Sequence, residues 1–385
     1  MENKIYTKNY LIIAVSTFAF FMSFHMLLPI LSPYSQQLGA KENEIGIIVG
    51  IFAVVSVLAR IPYGSYADRY FKKNLLLLGA FIFTISPILY TLSSSPGELM
   101  LSRMIHGLGI GAFTVASMAM VTELSPKNRL GEAMGVYGTS IMAAMAIAPG
   151  LSGYLVDSIG FKNTFYIASI FGLISLCLAS LLEKTRPAHN HETILINLKE
   201  TIANKRVILA SFGIFFLTVS YGVVVTFIPV YQLDLGMNYS EIGKLFTVAA
   251  ITTIITRPII GRLSDKTGRM KIILPLMVLT IGGIYSASIF TSIEGFYFFA
   301  VIYSLGFGSS YTILSAMVAN NAKPKNRGMA MALFTSHFDL GIAVGAIGIG
   351  LIASSVEYSE LFKVTTLILV LGTLIFAALS LKLKN

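Results

Sequence analysis

The chain has 385 residues, of which 55% are hydrophobic and only 12% are charged, and its formal net charge is +10. A soluble domain carries about 25% charged residues, so this composition indicates an integral membrane protein. The single cysteine, Cys177, excludes a disulfide within the chain and a thiolate metal site. The basic residues are spread over alternate loops rather than gathered in one compact domain, which argues against nucleic-acid binding.

Twelve apolar runs are long enough to cross a bilayer, since a spanning helix needs about 20 mostly apolar residues. The first six are predicted at 10–32, 44–66, 74–93, 97–122, 131–156 and 163–182. The second six are predicted at 207–232, 240–263, 272–292, 295–319, 328–354 and 360–381. The first run is too long for the core of a signal peptide and is interpreted as a retained span. The sequence therefore predicts an all-α membrane protein with two six-helix bundles, at 1–182 and 207–385.

Residues 183–206 form a polar stretch that is predicted to link the two bundles. Ile194, Leu198 and Ile202 recur at helical spacing, which suggests an amphipathic helix on the cytoplasmic face. His189 and His191 lie in this stretch, but two histidines without further ligands do not predict a metal site. No metal and no cofactor is expected.

The two sides of the predicted bundle differ in their number of basic residues. The side that holds both termini carries 21 of the 28 lysines and arginines, and the opposite side carries four. The other three, Arg60, Arg103 and Arg257, lie within spans. By the positive-inside rule, both termini are predicted to be cytoplasmic, in a multi-pass protein of the plasma membrane.

The two halves share an internal repeat with an offset of 197 residues. The matched pairs include Tyr34/Tyr231, Gly39/Gly236, Glu44/Glu241, Ile45/Ile242, Arg60/Arg257, Gly64/Gly261 and Asp68/Asp265. The sequence PKNR at 126–129 recurs at 324–327 with an offset of 198. A repeat in the same order points to two halves related by an axis along the membrane normal.

Two short charged turns lie between apolar runs, GSYADRYFKK at 64–73 and GRLSDKTGRMK at 261–271. A carboxylate at a helix end can meet a helix N-terminus or an arginine. We expect such contacts to hold a cytoplasmic gate closed and to break when it opens; the alternative is that these charges only fix topology. The candidate gate residues are Arg60, Gly64, Asp68, Arg69, Arg257, Gly261, Asp265 and Lys266, with Glu123, Arg129 and Glu132 around the next cytoplasmic turn.

Ionisable side chains inside spans are costly and mark functional sites by default. Asp339, about eleven residues into the eleventh span, is the only acid placed near a span midpoint and is the candidate proton carrier. His106 is a second candidate, because histidine titrates near neutral pH. The structural alternative is a permanent pair between Asp339 and Arg103 or another donor.

The other candidate cavity residues lie in the first and fourth spans. Arg103 is one turn from His106 on the same helix face, which suggests an anionic or zwitterionic substrate, or a charge partner for Asp339. His25 lies in the outer half of the first span. A lone histidine also hydrogen-bonds across helices without any other role.

These features together resemble the major facilitator superfamily over essentially the whole chain. The two charged turns look like that family's signature between spans two and three and its copy between spans eight and nine. Arg103, Gly107, Gly109 and Gly111 are spaced like the fourth-span motif. The sequence APGLSG at 148–153, with Pro149, Gly150 and Gly153, resembles the fifth-span motif of exporters, with alanine and serine at two usual glycine positions. Arg103–His106, Glu132 and the FDLG sequence at 338–341 look most like bacterial drug-efflux and metallophore-export members.

The resemblance implies a secondary transporter rather than an enzyme, with spans one, four, seven and ten around a central cavity and alternating access to it. The expected function is proton-coupled export, by antiport, of a small amphipathic or drug-like molecule by a monomer in the lipid bilayer. The alternatives are a proton-coupled importer or facilitator of a sugar-like or organic-anion solute, and a membrane sensor without turnover. The sequence has no phosphate-binding P-loop, so a P-loop ATPase does not power it.

Overall fold

The computed structural model describes residues 6–126, 129–183, 199–323 and 326–382, and these residues form helices and contain no strand. The helices are α1 (Lys8–Gln37), α2 (Glu42–Arg69), α3 (Lys72–Leu92), α4 (Pro96–Leu124), α5 and α6 (together Leu130–Ser180), α7 (Lys205–Asp234), α8 (Tyr239–Thr267), α9 (Arg269–Ala287), α10 (Ile293–Asn321), α11 (Arg327–Ala353) and α12 (Tyr358–Lys382). All these stretches are long and apolar enough to cross a membrane.

The stretch Leu130–Ser180 contains two spans. Its 51 residues would extend about 76 Å as one helix, more than twice the roughly 30 Å of a bilayer's hydrocarbon core. Gly160, with φ of 80° and ψ of 171°, breaks the helix, so α5 covers 130–159 and α6 covers 161–180. The described residues therefore hold twelve spanning helices, which confirms the predicted fold class.

Matched residues of the sequence repeat occupy matched structural positions. Gly39 after α1 and Gly236 after α7 both have a φ of 85°, which favours glycine, and each N–H donates to the carbonyl three residues back. Glu44 and Glu241, in the first turns of α2 and α8, each accept a hydrogen bond from the backbone N–H three residues earlier, over 2.9 Å. The repeat thus encodes the same helix stops and starts in both halves.

By packing, the chain divides into two compact units. Within the described residues, the first unit comprises those in 1–40, 51–190 and 238–247, and the second those in 41–50, 191–237 and 248–385. The first turns of α2 therefore pack in the second unit, and those of α8 in the first. Of the predicted linker, residues 184–198, with His189 and His191, lie outside the described part of the chain.

In the first unit, α1 packs on the α5–α6 segment, and α3 packs on α4 and on that segment. The Phe20 ring stacks on Phe83 and on Phe113, with centroids 3.8 Å and 3.7 Å apart. Ser16 Oγ donates to the Ser175 carbonyl over 3.0 Å and so joins α1 to α6. Small polar side chains that hydrogen-bond across helices are common stabilising contacts in membrane bundles.

The second unit repeats this arrangement six helices later. Helix α7 packs on α11 and α12, and α9 packs on α10 and α12. The buried core between them includes Leu217, Met277, Leu314, Phe334 and Phe376. Apolar packing of this kind surrounds the few polar side chains in each unit.

Candidate functional site

Tyr90, Arg103 and His106 form a buried hydrogen-bonded group in the first unit. Tyr90 Oη lies 2.6 Å from His106 Nδ1, and Arg103 Nη1 donates to Tyr90 Oη over 3.3 Å. Tyr90 and His106 have no exposed surface, and Arg103 is 4% exposed. Arg103 and His106 share one face of α4, while Tyr90 comes from α3.

The chemistry of Arg103 sets the direction of this hydrogen-bond chain. A guanidinium only donates, so the Tyr90 oxygen accepts from Arg103, and its own proton is available to His106 Nδ1 when that nitrogen is unprotonated. Neutral His106 then carries its proton on Nε2, which is buried and has no hydrogen-bond partner within the described part of the chain. A buried N–H without an acceptor is costly.

Aromatic rings surround the two basic side chains. The Arg103 guanidinium lies over the Phe52 ring of α2, 4.2 Å from its centroid. The His106 ring lies 5.3 Å from the Phe52 centroid and 4.0 Å from the Phe83 centroid. Because the face of an aromatic ring attracts a cation, Phe52 stabilises the Arg103 charge where water is excluded.

His25 lies apart from this group, on α1. Both of its ring nitrogens are buried without a hydrogen-bond partner among the described residues. Its ring stacks on Phe21, with centroids 5.8 Å apart, and lies 5.1 Å from the Phe24 ring. Phe24 in turn stacks on Phe52, with centroids 5.5 Å apart, so aromatic rings lie between His25 and the Arg103–His106 pair.

Gly107 permits a close approach of α4 to α2. A Cβ at this position would lie 2.6 Å from the Phe52 carbonyl oxygen, closer than real Cβ contacts. The glycine therefore brings the Phe52 backbone, and with it the Phe52 ring, up to Arg103 and His106. Helix packing therefore accounts for a glycine at this position, and its predicted place in a substrate cavity stays a prediction.

Asp339 lies on α11, which belongs to the second unit, and its side chain is half-buried. The preceding ring, Phe338, packs on Tyr311 at 5.6 Å and on Tyr221 at 6.3 Å. His337 Nδ1 lies 2.8 Å from the Leu333 carbonyl oxygen of its own helix. Aromatic rings of α7 and α10 therefore pack against the residue that precedes Asp339.

The predicted gate residues of the first half lie at the ends of α2, α4 and α5. Glu123 accepts a hydrogen bond from Lys72, whose side chain is 4% exposed. Arg129 donates to Glu132 through Nε at 2.9 Å and Nη2 at 2.7 Å. Arg60 is half-buried in α2, and a Cβ at Gly64 would meet open space. The side chains of Asp68 and Arg69, at the end of α2, lie outside the described part of the chain.

The matching residues of the second half lie on α8 and α9. The Arg257 guanidinium lies 5.4 Å from the Tyr311 ring centroid. Asp265 Oδ1 lies 3.5 Å from Arg269 Nη2, one helical turn on. Lys266 is exposed, and a Cβ at Gly261 would meet open space.

The predicted exporter motif on α5 packs against the first turns of α8, within the first unit. The Gly150 N–H donates to Thr247 Oγ1 over 3.1 Å. A Cβ on Gly153 would lie 2.1 Å from the Tyr239 carbonyl oxygen, and one on Gly243 would lie 2.3 Å from the Pro149 carbonyl oxygen. The small residues of the motif therefore serve backbone-to-backbone contact.

Sequence reasoning missed Tyr90, Phe52 and Asp157. The Asp157 carboxylate accepts hydrogen bonds from the backbone N–H groups of Tyr239, at 3.2 Å, and Ser240, at 2.7 Å, at the start of α8. A signal for Asp157 existed, since it is an acid four residues past the exporter motif. No sequence signal marked Tyr90 or Phe52, because an uncharged aromatic residue in a span is ordinary.

Comparison with known proteins agrees with this fold. The sequence model of the Major Facilitator Superfamily matches residues 13–283 and 210–384. An uncharacterised MFS-type transporter of Methanocaldococcus jannaschii is 26% identical over 363 residues, covering 92% of this chain and 94% of that protein. The multidrug resistance protein MdtG of Citrobacter koseri is 22% identical over 370 residues, covering 93% and 90%.

Two solved structures share the fold at low sequence identity. A bacterial homologue of the human lysosomal transporter Spinster, inward-facing and unoccupied, has a TM-score of 0.79 at 17% identity, covering 97% of this chain and 96% of that one. The nucleoside transporter NupG has a TM-score of 0.78 at 14% identity, covering 97% and 99%. The family match spans both halves, and the twelve helices agree with it. The chain is a membrane transporter and belongs to the Major Facilitator Superfamily.

Proposed function

We propose that the chain exports a small amphipathic or drug-like molecule from the cytoplasm in exchange for protons. The protein acts as a monomer in the plasma membrane, with both termini in the cytoplasm. Its two six-helix halves expose the substrate site alternately to each side. This proposal makes the chain a secondary active transporter.

The observation that carries the proposal is the buried group of Arg103, Tyr90 and His106. A cation and a histidine are costly inside a membrane span and persist there when they serve a pathway. The unpartnered His106 Nε2 offers a hydrogen bond to a bound molecule, and the Phe52 and Phe83 rings offer it an apolar surface. Such a pairing of apolar walls with a few polar groups suits an amphipathic substrate.

Export is supported by the relatives and by the fifth-span motif. The relatives that carry the name multidrug resistance protein cover most of this chain. The close contacts of Gly150 and Gly153 with the first turns of α8 favour a tightly packed extracytoplasmic end. A drug-like substrate is therefore preferred over a sugar-like or organic-anion solute.

Asp339 is the proposed proton carrier, with His106 as a second site for a proton. A carboxyl group in a low-dielectric region changes its affinity for a proton when its exposure changes. On the cytoplasmic side, Asp68 and Asp265 take part in the proposed gate. Arg60, Arg257 and the Lys72–Glu123 pair belong to the same proposed gate.

Efflux from cells tests the direction of transport and its energy source. Cells that express the chain are loaded with ethidium, a fluorescent lipophilic cation, and its loss is followed with and without a protonophore. The proposal predicts that expressing cells lose ethidium faster than non-expressing cells. It also predicts that the protonophore abolishes this difference.

Other outcomes lead to other functions. Faster accumulation of ethidium, or of an organic anion tested in its place, would assign an importer. If ethidium still moves in the presence of the protonophore, and stops moving when its concentrations inside and outside the cell are equal, the chain would be a facilitator. Equal behaviour of expressing and non-expressing cells across lipophilic cations, anions and neutral drugs would contradict drug export.

A further inference from the structure

A cationic cleft of about 350 Å³ lies in the second unit, where α7 and α9 begin and α10 and α12 end. Its basic lining residues are Arg206, Arg269 and Lys271. Its apolar lining residues include Leu209, Met270 and Met317, which together we call the cleft floor. The positive-inside pattern assigns this end of the helices to the cytoplasm.

The internal repeat provides a comparison for the charge of this cleft. The offset of 197 maps Arg206, Lys271 and Asn320 onto Asn9, Asn74 and Glu123 of the first half, and Arg269 onto Lys72. In the first half, Glu123 accepts a hydrogen bond from Lys72 and neutralises it. In the second half the acid is replaced by Asn320 and two asparagines are replaced by cations. The offset also maps Met270 onto Lys73, so the net charge at these five pairs of positions rises from +1 in the first half to +3 in the second.

Neutral oxygens hold the arginines in place without cancelling their charge. Arg269 Nη1 donates to the Ala316 carbonyl over 2.6 Å. The Asn320 amide, oriented with its oxygen toward Arg269, accepts from Nη2 at 2.7 Å. Arg206 Nη1 donates to Asn321 Oδ1 over 3.2 Å. The guanidinium groups are thus positioned beforehand for an anion.

Acidic side chains offset the positive charge of this cleft only weakly. None of its described lining residues is an aspartate or a glutamate. Asp265 Oδ1 lies 3.5 Å from Arg269 Nη2, but the Asp265 side chain is 69% exposed, and exposed pairs of this kind contribute little. The three cations therefore keep most of their attraction for an external anion.

We propose that this cleft binds the phosphate group of an anionic membrane lipid, such as phosphatidylglycerol. Basic pockets between spanning helices on the cytoplasmic side suit lipid headgroups, and arginine binds phosphate oxygens in pairs. The cleft floor favours a lipid over free phosphate, because it gives the first carbons of an acyl chain an apolar surface at the level where the spans begin. The proposal is independent of the transported substrate, but it rests on the proposed cytoplasmic orientation of this face.

Native mass spectrometry of the full chain in detergent tests the proposal by titration with phosphatidylglycerol and phosphatidylcholine. The double variant Arg206→Gln/Lys271→Gln removes two exposed cations of the cleft. The matched control, Arg262→Gln/Arg327→Gln, removes two exposed cations of the same unit that do not line the cleft. We expect the cleft variant to bind phosphatidylglycerol about tenfold more weakly than wild type, and the control to bind it like wild type.

Three results would overturn the proposal. The first is equal affinity of wild type and the cleft variant for phosphatidylglycerol. The second is a loss of phosphatidylglycerol affinity in the control variant as large as that in the cleft variant. The third is wild-type affinity for phosphatidylcholine equal to that for phosphatidylglycerol. Inorganic phosphate in a separate titration distinguishes the two sources of the phosphate group. Displacement of the lipid by inorganic phosphate at equal concentration would assign the cleft to free phosphate instead of a lipid. The melting temperature of each variant checks that the protein stays folded.

Discussion

Tyr90 Oη lies 2.6 Å from His106 Nδ1, and the same oxygen accepts a hydrogen bond from Arg103. One buried hydroxyl thus joins the two basic residues of α4. Because the group is closed to water on the Tyr90 side, its free hydrogen-bonding position is Nε2. This relationship gives the first two predictions.

Replacement of Tyr90 by phenylalanine removes the hydroxyl that accepts from Arg103 Nη1 and lies against His106 Nδ1, and it leaves that buried imidazole nitrogen without its hydrogen bond. An unsatisfied buried polar group costs about 1–3 kcal/mol, so we expect Tyr90→Phe to lower the melting temperature and to weaken transport. Tyr34→Phe is the control, because Tyr34 also donates one buried phenolic hydrogen bond, to the Tyr90 carbonyl over 2.9 Å. Equal effects of the two variants on transport would show that the Arg103–Tyr90–His106 connection has no special role.

Asparagine and glutamine at position 106 separate the roles of the two ring nitrogens. The asparagine amide places a polar group near the Nδ1 position, where it accepts the Tyr90 hydrogen bond, while glutamine reaches the Nε2 position. We expect His106→Asn to fold like wild type and to lose substrate binding, measured by the quenching of a fluorescent substrate. His106→Gln is expected to retain more binding and less stability. Full binding by His106→Asn would contradict a role for Nε2.

The contact of Gly107 with α2 predicts a difference between two alanine substitutions on α4. Gly107→Ala would place a Cβ 2.6 Å from the Phe52 carbonyl oxygen, whereas a Cβ at Gly97 meets open space. Overpacking typically costs about 1–3 kcal/mol, so we expect Gly107→Ala to lower the melting temperature and Gly97→Ala to leave it unchanged or raise it. Equal melting temperatures would mean that α4 and α2 are not in close contact in the membrane.

The Lys72–Glu123 pair is expected to contribute more than the Arg129–Glu132 pair. Lys72 is 4% exposed, so Glu123→Gln leaves a buried cation poorly paired, at a cost of about 1–3 kcal/mol. The Arg129 and Glu132 side chains are 38% and 44% exposed, and an exposed pair at this spacing contributes about 0.3–0.5 kcal/mol. Double-mutant cycles on thermal unfolding measure both couplings. A coupling at Lys72–Glu123 no larger than that at Arg129–Glu132 would remove the first pair from the cytoplasmic charge network.

The fold could be predicted from the sequence because long apolar runs and matched glycines are local signals. Gly39 and Gly236 match in sequence, and both adopt a φ of 85°. The number of spans followed from hydrophobic length, and the break at Gly160 divides Leu130–Ser180 into the two spans predicted at 131–156 and 163–182. Helix ends moved by a few residues, as for α1, which extends from Lys8 to Gln37, because polar residues at the membrane surface continue a helix.

The candidate site was harder to predict from the sequence, because the side chains that contact each other there come from different helices. His25 and His106 look alike as lone histidines in spans, but only His106 has a hydroxyl partner. That difference depends on the position of Tyr90 on α3, which hydrophobicity does not encode. Phe52 is likewise one apolar residue among many on α2, and its contact with Arg103 follows from the close approach at Gly107.

Proton movement in proteoliposomes tests the central claim most directly. Vesicles that contain the protein and a pH-sensitive dye are given a pH gradient and then a lipophilic cation, and wild type is compared with Asp339→Asn. We expect the substrate to trigger proton movement in wild type and not in Asp339→Asn, while the variant still binds the substrate. Equal proton movement in both would exclude Asp339 as the carrier, and substrate flux in wild type without any proton movement would contradict proton-coupled export.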